Sequence, residues 1–265
     1  MVTKVHNQIV ILLLNNGRIT IEDLIWLISH FYFMQKTYKH IFFDLDRTLW
    51  DFDATAKEAF TDIFNRFKLG DKGIEDVSQF KDHYNHHNEI LWAQYREGKL
   101  TKDVLRGLRF KLTLNEFGIS DDELSQQIGR HYVKISPLLV NLFPNTHEIL
   151  EYLRPNYHLH IITNGFSEVQ FTKLKESDLR KYFDQVITSE KAGVKKPDSK
   201  IFEYALERAK ANVHESIMIG DDPEVDILGA RNMGMDQVLF DPDHKLLQNG
   251  STFYINDLIE LKKYL

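Results

Sequence analysis

Cysteine is absent from all 265 residues, which excludes disulfides, thiolate nucleophiles and cysteine-ligated metals and leaves oxygen and nitrogen groups to carry any catalysis. A basic excess is also missing. The formal charge is −6, so no surplus of cations exists to neutralise a run of phosphates, and a nucleic-acid polymer is not expected as a partner. A single small anionic substrate is compatible with that charge. Long apolar runs are missing too: the strongest, residues 9–14 and 24–34, fall well short of the ~18–20 residues needed to span a bilayer. Asn15-Asn16-Gly17-Arg18 stands where a secretory cleavage site would want small residues. Neither stretch is read as a membrane anchor, and the chain is expected in the reducing cytoplasm. No internal repeat or low-complexity tract is present.

What remains is a chain long enough for one large domain or a core with an inserted smaller one, with a normal 43% apolar content. Residues 1–37 do not fit the pattern of the remaining chain. Met34 opens a natural start for a domain whose first strand comes at once, so residues 1–33 are expected to be a dispensable extension, compatible with an upstream start codon in the gene. His40-Ile41-Phe42-Phe43-Asp44-Leu45 is an apolar run ending in acids, the pattern of a buried parallel strand opening into a crevice. Residues 54–69 then switch period, with Ala56, Ala59, Phe60, Ile63, Phe64 and Phe67 forming one helical stripe. Further helices are expected at 78–97, 101–117 and 121–135, broken at Gly98, Gly118 and Ser120.

From Pro144 onward strands (158–163, 185–188, 216–220, 237–240) alternate with helices (167–176, 198–209, 224–233), which implies a mostly parallel sheet with helices on both faces. The fold class expected is therefore α/β: a doubly wound, Rossmann-like parallel sheet formed by 38–53 and 138–265, with an all-helical insert at 54–137.

Four short segments carry chemistry: Phe43-Asp44-Leu45-Asp46-Arg47-Thr48, Thr163-Asn164-Gly165, Lys196-Pro197, and Gly220-Asp221-Asp222 with Asp226 beyond. Three of them follow predicted strands, and ligands in open α/β sheets bind beyond the carboxyl ends of strands. Asp44 and Asp46, two apart, can face one side, and two such carboxylates cannot both ionise freely without a cation. A hard divalent ion with oxygen ligands, Mg²⁺ or alternatively Mn²⁺, resolves that repulsion. Asp44 then suits a nucleophile attacking phosphorus, and Asp46 an acid for the leaving oxygen and a base for water. Thr163 and Lys196 supply a hydroxyl and an ammonium for the phosphoryl oxygens. Thr48, Asn164 and Gly165 are the further substrate contacts expected from these segments.

These segments resemble the four motifs of the haloacid dehalogenase superfamily: Phe-Asp-Leu-Asp-Arg-Thr-Leu at 43–49, Ile-Thr-Asn-Gly at 162–165, Lys-Lys-Pro-Asp at 195–198 and Gly-Asp-Asp-Pro-Glu-Val-Asp at 220–226. The resemblance covers residues 38–265. It implies Asp44 as nucleophile, Asp46 as acid and base, and Thr163 and Lys196 as phosphate holders. The Mg²⁺ ligands it implies are Asp44, Asp221 and the main-chain carbonyl of Asp46, with Asp226 orienting Lys196 or a metal-bound water. The helical insert is similar to the superfamily's C1 cap. Residues 91–101 and 161–166 look like the noncanonical pyrimidine nucleotidases, a 5′-nucleotidase branch. That resemblance implies hydrolysis of pyrimidine nucleoside monophosphates, deoxyuridine and modified forms included; the chain is expected to be a monomer or homodimer.

Several residues have two readings. The amine of Lys195 competes with that of Lys196. Asp222, where the family often has Ser or Thr, adds charge near a metal or merely caps the helix after Pro223. Trp92 and Tyr95 stack a base or pack the insert, and Trp50, Phe52 and Phe166 form an apolar wall or core. His83, His86 and His87 are read as a solvated helix face rather than a zinc site. Against the phosphomonoesterase stand a sugar-phosphate phosphatase or mutase and, in another class, a non-catalytic phosphate-binding or partner-docking protein; haloacid dehalogenation itself is disfavoured by Asp46, Lys196 and the Asp221/Asp226 pair.

Overall fold

The strand β1 (His40–Phe43) is buried at every position, and its side chains alternate between the two faces of a sheet: Ile41 and Phe43 enter one apolar core while Phe42 enters another. The same alternation recurs in β4 (Ser216–Gly220), where Ile217 and Ile219 join the first core and Met218 the second. Strands buried on both faces read as near-continuous apolar runs, and burying each such side chain contributes roughly 1.5–3 kcal/mol. With β2 (His158–Thr163), β3 (Gln185–Thr188), β5 (Asp236–Phe240) and β6 (Phe253–Ile255) they form one six-stranded sheet of order β3-β2-β1-β4-β5-β6, parallel throughout.

The computed structural model describes residues 37–246 and 250–265, so the expectation for residues 1–33 lies outside the described part. No helix among the described residues is long and apolar enough to cross a membrane.

Strand order grows from β1 first to one side and then to the other, which makes the seam between β1 and β4 the topological switch point where a crevice opens. Register sharpens this: Phe43 lies opposite both Ile161 and Ile219, so Asp44, Thr163 and Asp221 emerge at nearly one level.

Five helices intervene between β1 and β2, and the first four form the insert: α1 (Phe52–Arg66), α2 (Val77–Arg96), α3 (Lys102–Glu116) and α4 (Asp122–Ile135). Each begins on a side-chain cap, Asp51, Asp76, Thr101 and Asp121, that accepts from a backbone N–H of the first turn, an arrangement that contributes about 1 kcal/mol per cap. Phe60, Phe80, Tyr84, Phe110, Ile128 and Tyr132 give this block a core of its own. The remaining helices are α5 (Thr146–Leu153), α6 (Ser167–Glu176), the single turn α7 (Ser189–Ala192), α8 (Ser199–Ala209) and α9 (Leu228–Asn232).

Besides the unexpected single turn α7, the structure departs from the sequence expectation in four places. Helix α1 starts at Phe52 and not at 54, because Asp51 caps it through the Ala54 N–H at 2.9 Å. Helix α5 is additional and has only eight residues; its Asn145 sits at φ 64° with no side-chain cap bond. Strand β6 is also additional and has only three residues, too few to display a period. The segment expected as one helix at 224–233 is a π-helical turn, Pro223–Ile227, running into α9.

At the amino end of β2, His160 is 1% exposed, packs 4.7 Å from Phe42 and shares a 3.1 Å hydrogen bond with His40. Burial, aided by the neighbouring His40 charge, lowers its pKa to about 4. The folded state thus favours the neutral ring: this contribution to stability is complete above the unfolded value near 6.5 and is lost as pH falls toward 4. Urea denaturation of the wild type is expected to lose roughly 3 kcal/mol over that window from this group, and His160→Leu should flatten the slope; an unchanged slope would contradict the assignment.

Candidate active site

Directly after β1 the chain makes a tight turn in which the Leu49 and Trp50 N–H groups both return to the Leu45 carbonyl, at 3.0 and 2.8 Å, and Arg47 adopts a left-handed φ of 63°. That turn leaves Asp44 and Asp46 at the mouth of the crevice. Thr48 is fully buried behind it and donates to Asp221 Oδ1 at 3.3 Å.

Lys196 enters from the loop between α7 and α8. Asn164 fixes that loop to the end of β2 from both sides, accepting from the Lys196 N–H at 2.8 Å and donating to its carbonyl at 3.0 Å. The Lys196 ammonium then uses all three of its donors, on Asp44 Oδ1 at 2.5 Å, Asp226 Oδ1 at 2.6 Å and the Ile162 carbonyl at 2.8 Å. Lys195 turns away, its ammonium 4.2 Å from the centre of the Tyr95 ring.

The π-helical turn brings Asp226 to this ammonium, an instance of the extra residue that such turns insert at functional places. Asp222 caps the turn, accepting from the Glu224 and Val225 N–H groups at 2.9 and 3.0 Å, while its own N–H donates to Asp226 Oδ2 at 3.2 Å. Gly220 is required for this approach, since a Cβ there would lie 2.4 Å from Asp226 Oδ2.

Asp46 faces the other side of the crevice. One carboxylate oxygen accepts from the buried Lys173 ammonium, and the other from Gln170 Nε2 at 2.7 Å. Gln170 Nε2 also donates to Thr163 Oγ1 at 2.7 Å, and the Gly165 N–H donates to the same oxygen at 3.1 Å. A Cβ on Gly165 would fall 2.3 Å from Gln170 Nε2.

Electrostatics follow from burial. Asp44 is pushed up to about 7, first by burial and against the pull of Lys196, with Asp226 and Asp46 adding to the rise. Burial and the charges of Asp226 and Asp44 raise Asp221 well above the usual carboxylate range. Asp226 is raised by burial although Lys196 opposes it. Burial works against the Lys196 charge, but Asp226 and then Asp44 outweigh it and hold the amine above its ordinary value.

Oxygen atoms of Asp44, Asp221 and Asp226 lie within 4.8 Å of one another. Three hard carboxylates, two of which bond the Lys196 ammonium, leave an excess of negative charge, and that donor set fits a divalent cation of the Mg²⁺ type. The carboxylate of Asp46, a member of the expected metal set through its main-chain carbonyl, does not belong to this cluster; Asp226 does. His83, His86 and His87 belong to no metal-capable group among the described residues. His87 instead pairs with Glu116 at 3.0 Å.

A cavity of about 390 Å³ opens over the cluster, lined by Asp44, Asp46, Thr163, Asn164, Gly165 and Lys196 from the sheet side and by Asn88, Trp92, Arg109 and Tyr132 from the helical insert. Trp92 stacks on Phe166, with ring centres 5.4 Å apart and planes at 27°. Five residues of this site were not anticipated from sequence: Tyr132, which also belongs to the core of the insert, and the polar Gln170, Lys173, Asn88 and Arg109. The signal of the polar four was a polar residue where a buried stripe runs, as in α3, whose buried face reads Leu105, Arg109, Phe110, Thr113, Leu114.

Comparison with known proteins gives the same picture. Residues 41–240 match the haloacid dehalogenase-like hydrolase family. The pyrimidine 5′-nucleotidase YjjG of Escherichia coli is 34% identical over 229 residues, covering 85% of this chain and 96% of its own. PynA of Streptococcus pneumoniae, also a pyrimidine 5′-nucleotidase, is 32% identical over 209 residues, covering 78% and 85%. A glyceraldehyde 3-phosphate phosphatase of Methanothermobacter thermautotrophicus is 31% identical over 247 residues, covering 86% and 99%. Among solved structures, the HAD-hydrolase YfnB of Bacillus subtilis bound to magnesium aligns with a TM-score of 0.78 at 30% identity, over 86% of this chain and 98% of that one. Four motif segments meeting at one switch point, in a sheet of the same architecture and within a match spanning most of the chain, make this protein a member of the haloacid dehalogenase-like hydrolases.

Proposed function

We propose that the chain is a Mg²⁺-dependent phosphomonoester hydrolase that works through an aspartyl-phosphate, acting on pyrimidine nucleoside 5′-monophosphates, noncanonical forms included. The observation that carries this reading is the Asp44 carboxylate at the cavity floor, bonded to the Lys196 ammonium at 2.5 Å with Asp221 and Asp226 beside it. The phosphate of the substrate would enter over Asp44, its equatorial oxygens taking hydrogen bonds from the Thr163 hydroxyl and from Lys196, whose bond to Asp44 Oδ1 is released as Asp44 turns to phosphorus. An oxygen of Asp44 forms the bond to phosphorus as the ester bond breaks, and Asp46 delivers a proton to the departing alkoxide. Asp46 then takes a proton from water as that water attacks phosphorus, which restores Asp44 and releases phosphate. Lys173 and Gln170 hold the Asp46 carboxylate at the place where both transfers need it. Asp44, Asp221 and Asp226, with the Asp46 carbonyl, would hold Mg²⁺, which when bound supplies charge neutralisation between carboxylate and phosphate.

The helical insert, residues 54–137, is the cap of this proposal, and the substrate class rests on it and on the two pyrimidine 5′-nucleotidase relatives. The archaeal phosphatase relative supports a second reading, a sugar-phosphate phosphatase. A binding protein without catalysis would have no use for both Asp44 and Asp46 beside a buried lysine.

Phosphate release measured on a panel of nucleotides and sugar phosphates separates the two enzymatic readings: deoxyuridylate is expected to exceed ribose 5-phosphate in kcat/KM, and the reverse order would select the sugar phosphatase. Asp44→Asn is expected to lower kcat by about 10³-fold or more on every substrate, as should EDTA; turnover surviving the substitution would exclude the covalent route. Metal binding has its own readout. Saturating Mg²⁺ should raise the thermal midpoint of the purified chain by roughly 5 °C or more, and Asp221→Asn should abolish the shift; an equal shift in that variant would remove Asp221 from the metal site.

A further inference from the structure

The chemistry proposed above engages only the phosphate, whereas much of the cavity wall comes from the insert. There Arg109, on α3, is 3% exposed and lines the cavity. Its Nη1 donates to the Tyr84 hydroxyl at 2.7 Å and to Asn88 Oδ1 at 3.0 Å. Three aromatic rings surround it, with the guanidinium carbon 5.5, 5.8 and 5.6 Å from the centres of Tyr84, Phe110 and Tyr132. Its Nε has no partner, and no carboxylate among the described residues forms an ion pair with it. A buried guanidinium with unfilled donors is costly, and packing alone does not call for one, because an apolar side chain would fill the same ring-lined space without them.

The hydrogen-bond inventory says what would complete it. Asn88 also lines the cavity, is buried, and has its oxygen committed to Arg109; its Nδ2 hydrogens are the part left over. Arg109 has donors only. The pair therefore presents donors and no free acceptor, and its complement is a group of oxygen acceptors rather than a hydroxyl or an amine, which must also place a proton. Resting on the nucleotidase reading, we propose that Arg109 and Asn88 form the base-recognition site of the insert, donating to a ring carbonyl oxygen of the pyrimidine leaving group. The 2-carbonyl is shared by uracil, thymine and cytosine, so such a site would favour pyrimidines as a class. Ribose 5-phosphate has the same reacting ester and lacks that oxygen.

The test compares kcat/KM for uridylate and for ribose 5-phosphate in the wild type, in Arg109→Met and in Asn88→Asp, the full chain being used with Mg²⁺ throughout. The ratio of the two values is expected to fall about 10- to 100-fold in Arg109→Met, the loss typical of a buried hydrogen bond to a charged donor. Asn88→Asp gives Arg109 a carboxylate partner inside the protein and removes the amide donors, so it should keep the thermal midpoint at or above that of the wild type while lowering the same ratio. It decides the matter if Arg109→Met fails to fold. A ratio unchanged in the folded variants, or equal losses on both substrates, would overturn the assignment and leave Arg109 a structural residue. A wild type with no preference for uridylate over ribose 5-phosphate would instead defeat the pyrimidine reading on which it rests.

Discussion

The Lys196 ammonium sits where the ends of three strands meet, and its three hydrogen bonds join them: Asp44 beyond β1, the Ile162 carbonyl in β2 and Asp226 beyond β4. Removing one partner of a buried charged network typically costs about 3–5 kcal/mol, because the remaining charges lose their compensation. The surrounding structure is organised to keep this amine in place. Asn164 clamps its main chain, the π-helical turn brings Asp226 under it, and Gly220 leaves the room that this approach needs.

One ammonium does not balance the acids around it. Asp44, Asp221 and Asp226 form a cluster of acids, and burial first, with the charges of Asp226 and Asp46 adding to it, displaces Asp44 up to about 7. A divalent cation would reverse this, holding Asp44 in the anionic form that a nucleophile needs. On the proposed reading, the sheet supplies a site whose charge a metal would balance, and the insert supplies one, at Arg109, whose donors a ligand would fill. Both shortfalls face the same cavity.

Legibility in the sequence followed the physics of each element. Asp44, Thr163 and Asp221 adjoin apolar runs, so a parallel sheet with its crevice at the strand ends was enough to bring them together. The choice of Lys196 over Lys195 needed the loop geometry that Asn164 imposes, which no local pattern encodes. Gln170 and Lys173 reach Asp46 because α6 turns that face toward it, and helix orientation is set by tertiary packing rather than by period. Asp222 carried two readings in the sequence, and its side-chain bonds to Glu224 and Val225 are those of a helix cap. Strand β6 and helix α5 were too short or too poorly capped to announce themselves.

On the function proposed above, labour in this molecule is divided between a sheet edge that performs the chemistry and an insert that selects the leaving group, and the central claim is that phosphorus is transferred to Asp44 before it reaches water. Rapid acid quench of a single turnover with ³²P-labelled deoxyuridylate, combined with digestion and peptide mapping, tests this directly. Transient label is expected on the peptide that contains Asp44, rising and decaying ahead of free phosphate. Phosphate release at the full rate with no label on the protein at any time would contradict it.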